Sequence, residues 1–406
     1  MPGPVSRTAA ALVCTAVLLA PAPVLAAKTL VTLLTFDGYD GSNPGRVVAD
    51  AKGNLFGTTH YGGNGEYGPG TVYEMSYTKA GGWALSTLYD FTDADDGGYP
   101  DSNPVIGKGG TLYGAALGGS NGKAPGGLVY ALEPQSGSWT FETLYDFQGT
   151  NDGNVELYSP LLTRNGKVYG VTPDGGSGTK CGSHGCGTLF KLEPPSGGGS
   201  PWHHRVLFSF SGGSSGSVPT SLVSSGSAGG VYVATDGGNG AVVSLAPGAP
   251  GQGWTETVLY SFAGGNDGEG PGSLVVAADG TIYGVAGGGS NGAGIAFSLA
   301  QSNGTWIKTT LYNFSGDYGP SSLTLAPQGG LIGTVFGDID LYFGNVFQLS
   351  PPKLPGRSWK YRLLYDFNSQ GGPSINPNNV VFGKGGHLYG TLEGGDSNDG
   401  AVFELH

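Results

Sequence analysis

The sequence predicts an all-β protein, a seven-bladed β-propeller of four-stranded antiparallel blades. Three observations carry that prediction. A phrase related to L-Y-D-F recurs with its phenylalanine at Phe36, Phe91, Phe147, Phe210, Phe262, Phe314 and Phe367. Each copy is followed by a Gly/Asp/Pro-rich loop, a G-x-L-Y-G run, a second glycine-rich loop and a V-F-x-L run. The period of about 50–60 residues is that of propeller blades. The ends of the array are also out of phase. Residues 28–36 read as an outermost strand with no partners before it, and His406 follows directly on a V-F-x-L run. The first segment is therefore expected to complete the blade begun near Asn376, closing the ring and removing two free sheet edges.

Within a repeat the elements follow from side-chain period and turn chemistry. In blade 2, Asn103 to Ile106 starts strand a, Thr111 to Ala116 forms b, Leu128 to Leu132 forms c, and Trp139 to Phe147 forms d. These runs alternate as half-buried strands do, and Gly, Asn and Pro supply the turns between them. Trp83, Trp139, Trp202, Trp254, Trp306 and Trp359 each stand eight residues before a repeat phenylalanine, so they open strand d and pack between blades. A glycine follows the strand-b aromatic at Gly57, Gly114, Gly170, Gly284 and Gly390, read here as crowding around the central channel. Val233 breaks that series and Val243 breaks the strand-c aromatic series, both in blade 4.

Gly and Pro make up about a quarter of the chain, a composition that alone reads as disorder. Their placement between short aromatic and β-branched runs reads instead as hairpin turns. Residues 1–27 read as a secretory signal: Arg7, an apolar run from Ala9 to Ala20, and the small-residue site Val24-Leu25-Ala26. The propeller then occupies 28–406. That apolar run is too short and too broken by Pro21 and Pro23 for a transmembrane span, so a secreted or periplasmic location is expected. Cys14 leaves with the signal. Cys181 and Cys186 remain, in C-G-S-H-G-C, and read as a disulfide clasp in an exported protein. Metal binding with His184 is the alternative, though it needs a fourth ligand from elsewhere.

The stretch G-N-L-F-G-T-T-H-Y-G-G…G-T-V-Y-E-M at residues 53–75 resembles the bacterial GloVer tandem repeat, with further good copies at 166–192 and 385–405. The resemblance implies an exported, propeller-like protein with no assigned reaction, so it carries over no catalytic residue. Relatives often end in a sorting anchor, and the end at His406 without one favours a soluble form.

The d–a and b–c connections of a blade emerge on one side of the disc. They carry most of the acids that give the chain its net charge of −12, while lysines and arginines such as Lys52, Lys108, Arg164 and Lys384 fall on the a–b and c–d side. A polarised disc repels nucleic acid and acidic polymers from its acidic face. The plainer reading is that Asp serves turns there. Tyr39, Tyr61, Tyr67, Tyr99 and Tyr342 accompany the acids, a combination suited to a glycan or to a protein partner. Three constellations stand out on this face. Asp93, Asp95 and Asp101 partly match a calcium loop, with Gly97 where a ligand is expected, so Ca²⁺ is the candidate ion against a solvated turn; no cofactor is otherwise expected. Asp338, Asp340 and Tyr342 replace the Gly-Gly consensus of blade 6 and form a candidate ligand site with Tyr67 and Tyr99. His60, Tyr61 and His184 are the candidate proton-transfer groups of a polysaccharide lyase or glycoside hydrolase. His203 and His204 are read as surface residues before strand d on the other side. The sequence thus leads to a monomeric propeller binding a glycan or protein ligand on its acidic face, with a polysaccharide-active enzyme second and a structural surface protein third.

Overall fold

The computed structural model describes residues 28–406 apart from Asp101, Thr150, 156–159, 198–200, 227–228, 317–318, 338–343, Pro355, 368–375 and 395–398. Residues 1–27, where a signal is expected, and the candidates Asp101, Asp338, Asp340 and Tyr342 lie outside the described residues. Seven antiparallel sheets follow one another in the order a-b-c-d. Blade 2 has Val105–Ile106, Leu112–Ala116, Leu128–Gln135 and Ser138–Asp146. Blade 7 takes Asn376–Phe382, Leu388–Glu393 and Ala401–Leu405 from the end of the chain and Leu30–Thr35 from its beginning. Leu30 pairs with Leu405 and Thr35 with Ala401, so the ring closes as the repeat phase requires.

One register shift is common to every blade and falls at the same point of the c–d ladder, whatever shifts the a–b ladders add. The c–d ladder skips Leu33, Leu88, Leu144, Leu207, Leu259, Leu311 and Leu364, the leucines of the L-Y-x-F phrase and its variants. This is a β-bulge, which bends the strand and re-aims the side chains after it. The bulged leucine turns into the blade joint: Leu144 and Leu364 are almost wholly buried. The repeat phrase is therefore the signature of a bulge as well as of a strand.

The core is divided into seven apolar clusters, one per joint between neighbouring blades. Two ring contacts recur across these joints. The phenylalanine ending one blade meets the strand-c ring of the next, as in Phe36–Tyr73 at 5.3 Å, Phe91–Tyr130 at 5.4 Å and Phe147–Phe190 at 5.0 Å. The strand-d tryptophan meets the strand-b aromatic of the preceding blade, as in Trp83–Tyr389 at 5.4 Å and Trp139–Phe56 at 6.2 Å. Such edge-on pairs add about 0.5–1.5 kcal/mol each beyond their area.

The joint between blades 6 and 7 is different. Lys28 stands where the tryptophan would be, eight residues before Phe36, and Ile332 stands where the aromatic would be. Both partners of the ring pair are missing together. The Lys28 amide instead donates to the Leu364 carbonyl at 3.1 Å, and burial, with Arg362 nearby, pulls the Lys28 ammonium pKa below its usual range. At the next joint, side chains lace blade 7 to strand a of blade 1. Asn379 accepts from the Val47 amide at 3.1 Å and donates to the Val47 carbonyl at 3.0 Å, and Asn378 donates to the Pro44 carbonyl at 2.7 Å.

The strand-b glycines have a cause other than channel crowding. Gly57, Gly114, Gly170, Gly284, Gly333 and Gly390 each pair directly with the strand-c aromatic of their own blade. A Cβ at any of them would collide with that ring; at Gly114 it would meet the Tyr130 hydroxyl. In blade 4 the opposed pair is Val233 and Val243, so both members have changed together. Two valines fill the space of a glycine and a large ring.

Strand a of every blade faces the centre. Together they line a cavity of about 460 Å³ walled by hydroxyls, aliphatic groups, Asn103 and Asn379. Arg46 is the one charged residue in that lining, and its Nη2 donates to the Ser321 carbonyl of blade 6 at 3.2 Å.

Candidate functional site

Hydrogen bonds between loops put the d–a and b–c connections on one face. The Gly63 amide donates to the Tyr39 carbonyl at 3.0 Å in blade 1, the Ser120 amide to the Asp93 carbonyl at 3.0 Å in blade 2, and the Gly289 amide to the Gly265 carbonyl at 2.8 Å in blade 5. Part of the negative charge on this face has structural work. Asp96, Asp152 and Asp267 each lie seven residues after an L-Y-x-F tyrosine and accept its hydroxyl: Tyr89 at 2.9 Å, Tyr145 at 3.2 Å and Tyr260 at 2.7 Å. Each also accepts the backbone amide that opens the loop, from Thr92, Gln148 or Ala263. The carboxylate pins the loop to the end of strand d. Burial with the neighbouring carboxylate pushes the Tyr145 and Tyr260 hydroxyls up to about 12. No signal for this pairing was read from the sequence, although the fixed offset of seven residues was there to be seen.

Asp267 has a further partner. The nearly buried Lys308 of blade 5 reaches it at 2.9 Å and lies 5.8 Å from the Tyr260 ring centroid. Burial works against ionisation of Asp267, but hydrogen bonds from Lys308, the Ala263 amide and Tyr260 outweigh it and hold its pKa below the usual range. Lys308 occupies the strand-d position two after the tryptophan, where blades 2, 3 and 6 have Phe141, His204 and Tyr361. Those three rings stack on the tyrosine of the preceding blade, at 4.3, 4.2 and 4.7 Å. The surface reading of His204 is thereby corrected. It lies inside strand d, stacked on Tyr145 and packed near Phe147 and Phe190, while its neighbour His203 is exposed. Its Nε2 is buried with no partner, and burial lowers its pKa.

The candidate calcium loop is tied to its neighbour by other bonds. The Asp93 carboxylate accepts from the Ser120 amide at 3.1 Å, and Asp95 takes the Asn121 amide group and the Lys123 ammonium, the latter at 3.3 Å. Among the described residues no three His, Cys, Asp or Glu side chains converge as a metal cage. Cys181 and Cys186 form the disulfide, clasping the b–c loop of blade 3. With both sulfurs in that bond, the stretch has no thiolate for a metal.

The candidate proton-transfer residues divide. His60 and Tyr61 end strand b of blade 1, where the strand emerges from the buried sheet, and their rings touch edge-on at 4.3 Å. Tyr99, from the loop entering blade 2, joins them at 5.3 Å from His60 and 5.8 Å from Tyr61. Tyr99 is held there with a φ of 54°, its amide donating to the Pro69 carbonyl at 2.6 Å. The same left-handed residue before a proline recurs at Asn43, Val218 and Gly270, each amide bonded to the b–c loop of the preceding blade, so this backbone belongs to the connection between blades. His184 is exposed on blade 3, and no ring contact or hydrogen bond among the described residues joins it to this cluster. Tyr39 and Tyr67 are exposed on the same face, Tyr67 83% so.

Strand order and ring closure together define a closed seven-bladed β-propeller. The chain belongs to the Gloeobacter/Verrucomicrobia repeat family, whose model matches residues 24–241 and 178–403. No curated protein matches it. Among solved structures it is similar to a catalytically inactive virginiamycin B lyase from Staphylococcus aureus, crystallised with quinupristin. That match has 14% identity and a TM-score of 0.59, covering 93% of this chain and 99% of the other. It is also similar to putative 6-phosphogluconolactonases from Bacteroides uniformis and Bacteroides fragilis. The first has 14% identity and a TM-score of 0.53 over 82% of this chain and 87% of that one. The second has 13% and 0.52 over 90% and 94%. At these identities the likeness is one of fold.

Proposed function

We propose that the protein is an exported propeller that binds an uncharged glycan on its d–a and b–c loop face, at the cluster of His60, Tyr61 and Tyr99. The observation that carries this reading is the gathering of three rings from two blades where solvent reaches them. Rings of this kind cover the apolar face of a pyranose, and the surrounding carboxylates accept its hydroxyls. Tyr67 stands on the same face and extends the proposed surface, and the sequence adds Asp338, Asp340 and Tyr342 as further candidate ligand residues. The export part of the reading rests on the Cys181–Cys186 disulfide and the signal-like residues 1–27; mass spectrometry of exported protein should find a chain starting at Ala27 or Lys28. No helix among the described residues is long and apolar enough to cross a membrane.

A glycan panel read by calorimetry tests the site. Tyr61→Ala and Tyr99→Ala should each weaken the bound glycan by about tenfold or more, as truncated aromatic anchors do. Binding unchanged by both would remove the site from this face, and silence on every glycan would leave a protein partner as the ligand. The contact of His60 with Tyr61 favours a second reading, a polysaccharide lyase or hydrolase with His60 as base. Release of unsaturated or reducing ends by the same panel, lost in His60→Ala, would put that reading first.

A further inference from the structure

On the other face of the disc, the joint between blades 7 and 1 opens into a cavity of about 350 Å³, within the range of small-molecule pockets. Its mouth is formed by the a–b turns of the two blades, carrying Lys52 and Lys384. The turns touch, since a Cβ on Gly53 would lie 3.2 Å from the Lys384 Cβ. The floor is aromatic: Trp83 lies 5.6 Å from Tyr77 and 5.4 Å from Tyr389, and Tyr77 is 58% exposed. At the back, His387 Nδ1 pairs with the Glu404 carboxylate, and His406 stacks on His387 at 5.7 Å.

The two lysines have no ion-pair partner among the described residues. The nearby carboxylates are engaged elsewhere. Asp50 accepts from the Lys52 and Asn54 amides and the Asn54 side chain, and Glu404 takes His387. Glu74 sits further in, its pKa raised by burial and by Asp50, with Lys52 opposing. The cavity at the joint of blades 2 and 3 makes the contrast. It too holds two cations beside a tyrosine, Lys108 and Arg164, but Arg164 is bound to the Gly229 and Gly230 carbonyls and lies 5.1 Å from the centre of the Tyr169 ring. At the 7/1 joint both charges remain available to something outside the chain.

We propose that this groove binds a uronic acid residue of an acidic glycan. The sugar ring lies on Tyr77 and Trp83, its carboxylate between Lys52 and Lys384, and its hydroxyls within reach of Asn54 and the His387–Glu404 pair. An exposed aromatic face, paired cations and hydrogen-bonding side chains are the three features a charged pyranose needs. This site is separate from the one proposed above and does not depend on it.

The test is calorimetric titration of the full chain with an oligogalacturonate, its methyl ester and inorganic sulfate at equal ionic strength. The free acid should bind saturably. The methyl ester, which keeps the ring and loses the charge, should bind about tenfold or more weakly, and so should the free acid to Lys52→Gln/Lys384→Gln. Tyr77→Ala should weaken binding by a similar factor, while Tyr61→Ala and Tyr99→Ala leave it unchanged. All five positions are at least partly exposed, and an unaltered melting curve verifies the fold of each variant. No binding of the free acid, equal binding of the ester, indifference to the lysine or Tyr77 changes, or loss in the Tyr61 and Tyr99 variants would overturn the proposal. Sulfate binding as tightly as the oligomer would overturn the sugar assignment.

Discussion

Blades 2 and 4 have the same four strands and the same bulge, yet fill the space between strands b and c differently. Blade 2 opposes Gly114 to Tyr130, and blade 4 opposes Val233 to Val243. In blade 2 a large ring lies across a bare backbone; in blade 4 two medium side chains share the volume. Close packing fixes the total and leaves its division free. The repeat is thus conserved as a volume per layer, and a residue read singly as degenerate is half of a compensated pair. The joint of blades 6 and 7, with Lys28 and Ile332 in place of a tryptophan and an aromatic, shows a second joint departure.

Gly114→Val should be the most damaging change, costing about 3 kcal/mol or more because backbone and ring cannot both give way. Adding Tyr130→Val should recover part of that loss, with a coupling of about 1–2 kcal/mol in a denaturant-unfolding cycle. Additive losses would refute the compensation. Trp139→Ala removes the ring pair with Phe56 and should cost about 2–3 kcal/mol, the tryptophan being only partly buried. Lys28→Ala, at the corresponding place in the joint that lacks the pair, should cost far less. Cys186→Ser opens a clasp that blade 4 does without, and should cost about 2 kcal/mol on unfolding without reductant.

The strand-d position held by Phe141 in blade 2 and His204 in blade 3 allows a pH test. The folded pKa of His204 is below its unfolded value, so the unfolded chain binds the extra proton. Its neutral burial is harmless above the unfolded pKa of about 6.5 and erodes stability as pH falls below it. His204→Phe should therefore raise the melting temperature more at pH 5 than at pH 7.5, and an equal gain at both would locate the effect in packing alone. The smallest expected effect is at Tyr130, whose buried hydroxyl has no partner. Tyr130→Phe should be neutral or stabilising by up to about 1 kcal/mol.

Much of this architecture was legible in the chain because repetition makes each blade a control for the others. Ring closure followed from the phase of residues 28–36, and the tryptophans declared their place by keeping register with the phenylalanines. What escaped were the pairings that the repeat phase does not mark. The bulge at the L-Y-x-F leucine is a mismatch of two strands, invisible in one. Asp96, Asp152 and Asp267 resembled surface charge until their tyrosines were seen beside them. Of the candidate site, His60, Tyr61 and Tyr99 come together because blade 1's strand b ends beside the loop entering blade 2, whereas His184 stands on another blade. The groove at Lys52 and Lys384 was not read at all, since its residues lie more than three hundred positions apart.

The seam in blade 7 also bears on how the molecule assembles. Its outer strand is the first part of the propeller domain to be synthesised, and its partner at Ala401–Leu405 is the last. Thr29 and His406 exchange backbone hydrogen bonds at 3.0 and 3.2 Å, so chain entry and exit are adjacent. Joining the two ends of the domain carries a loop-closure cost that pairing within one blade does not. The opening segment remains a detached edge until the final strand arrives, which makes the whole disc a structure that locks in its last step.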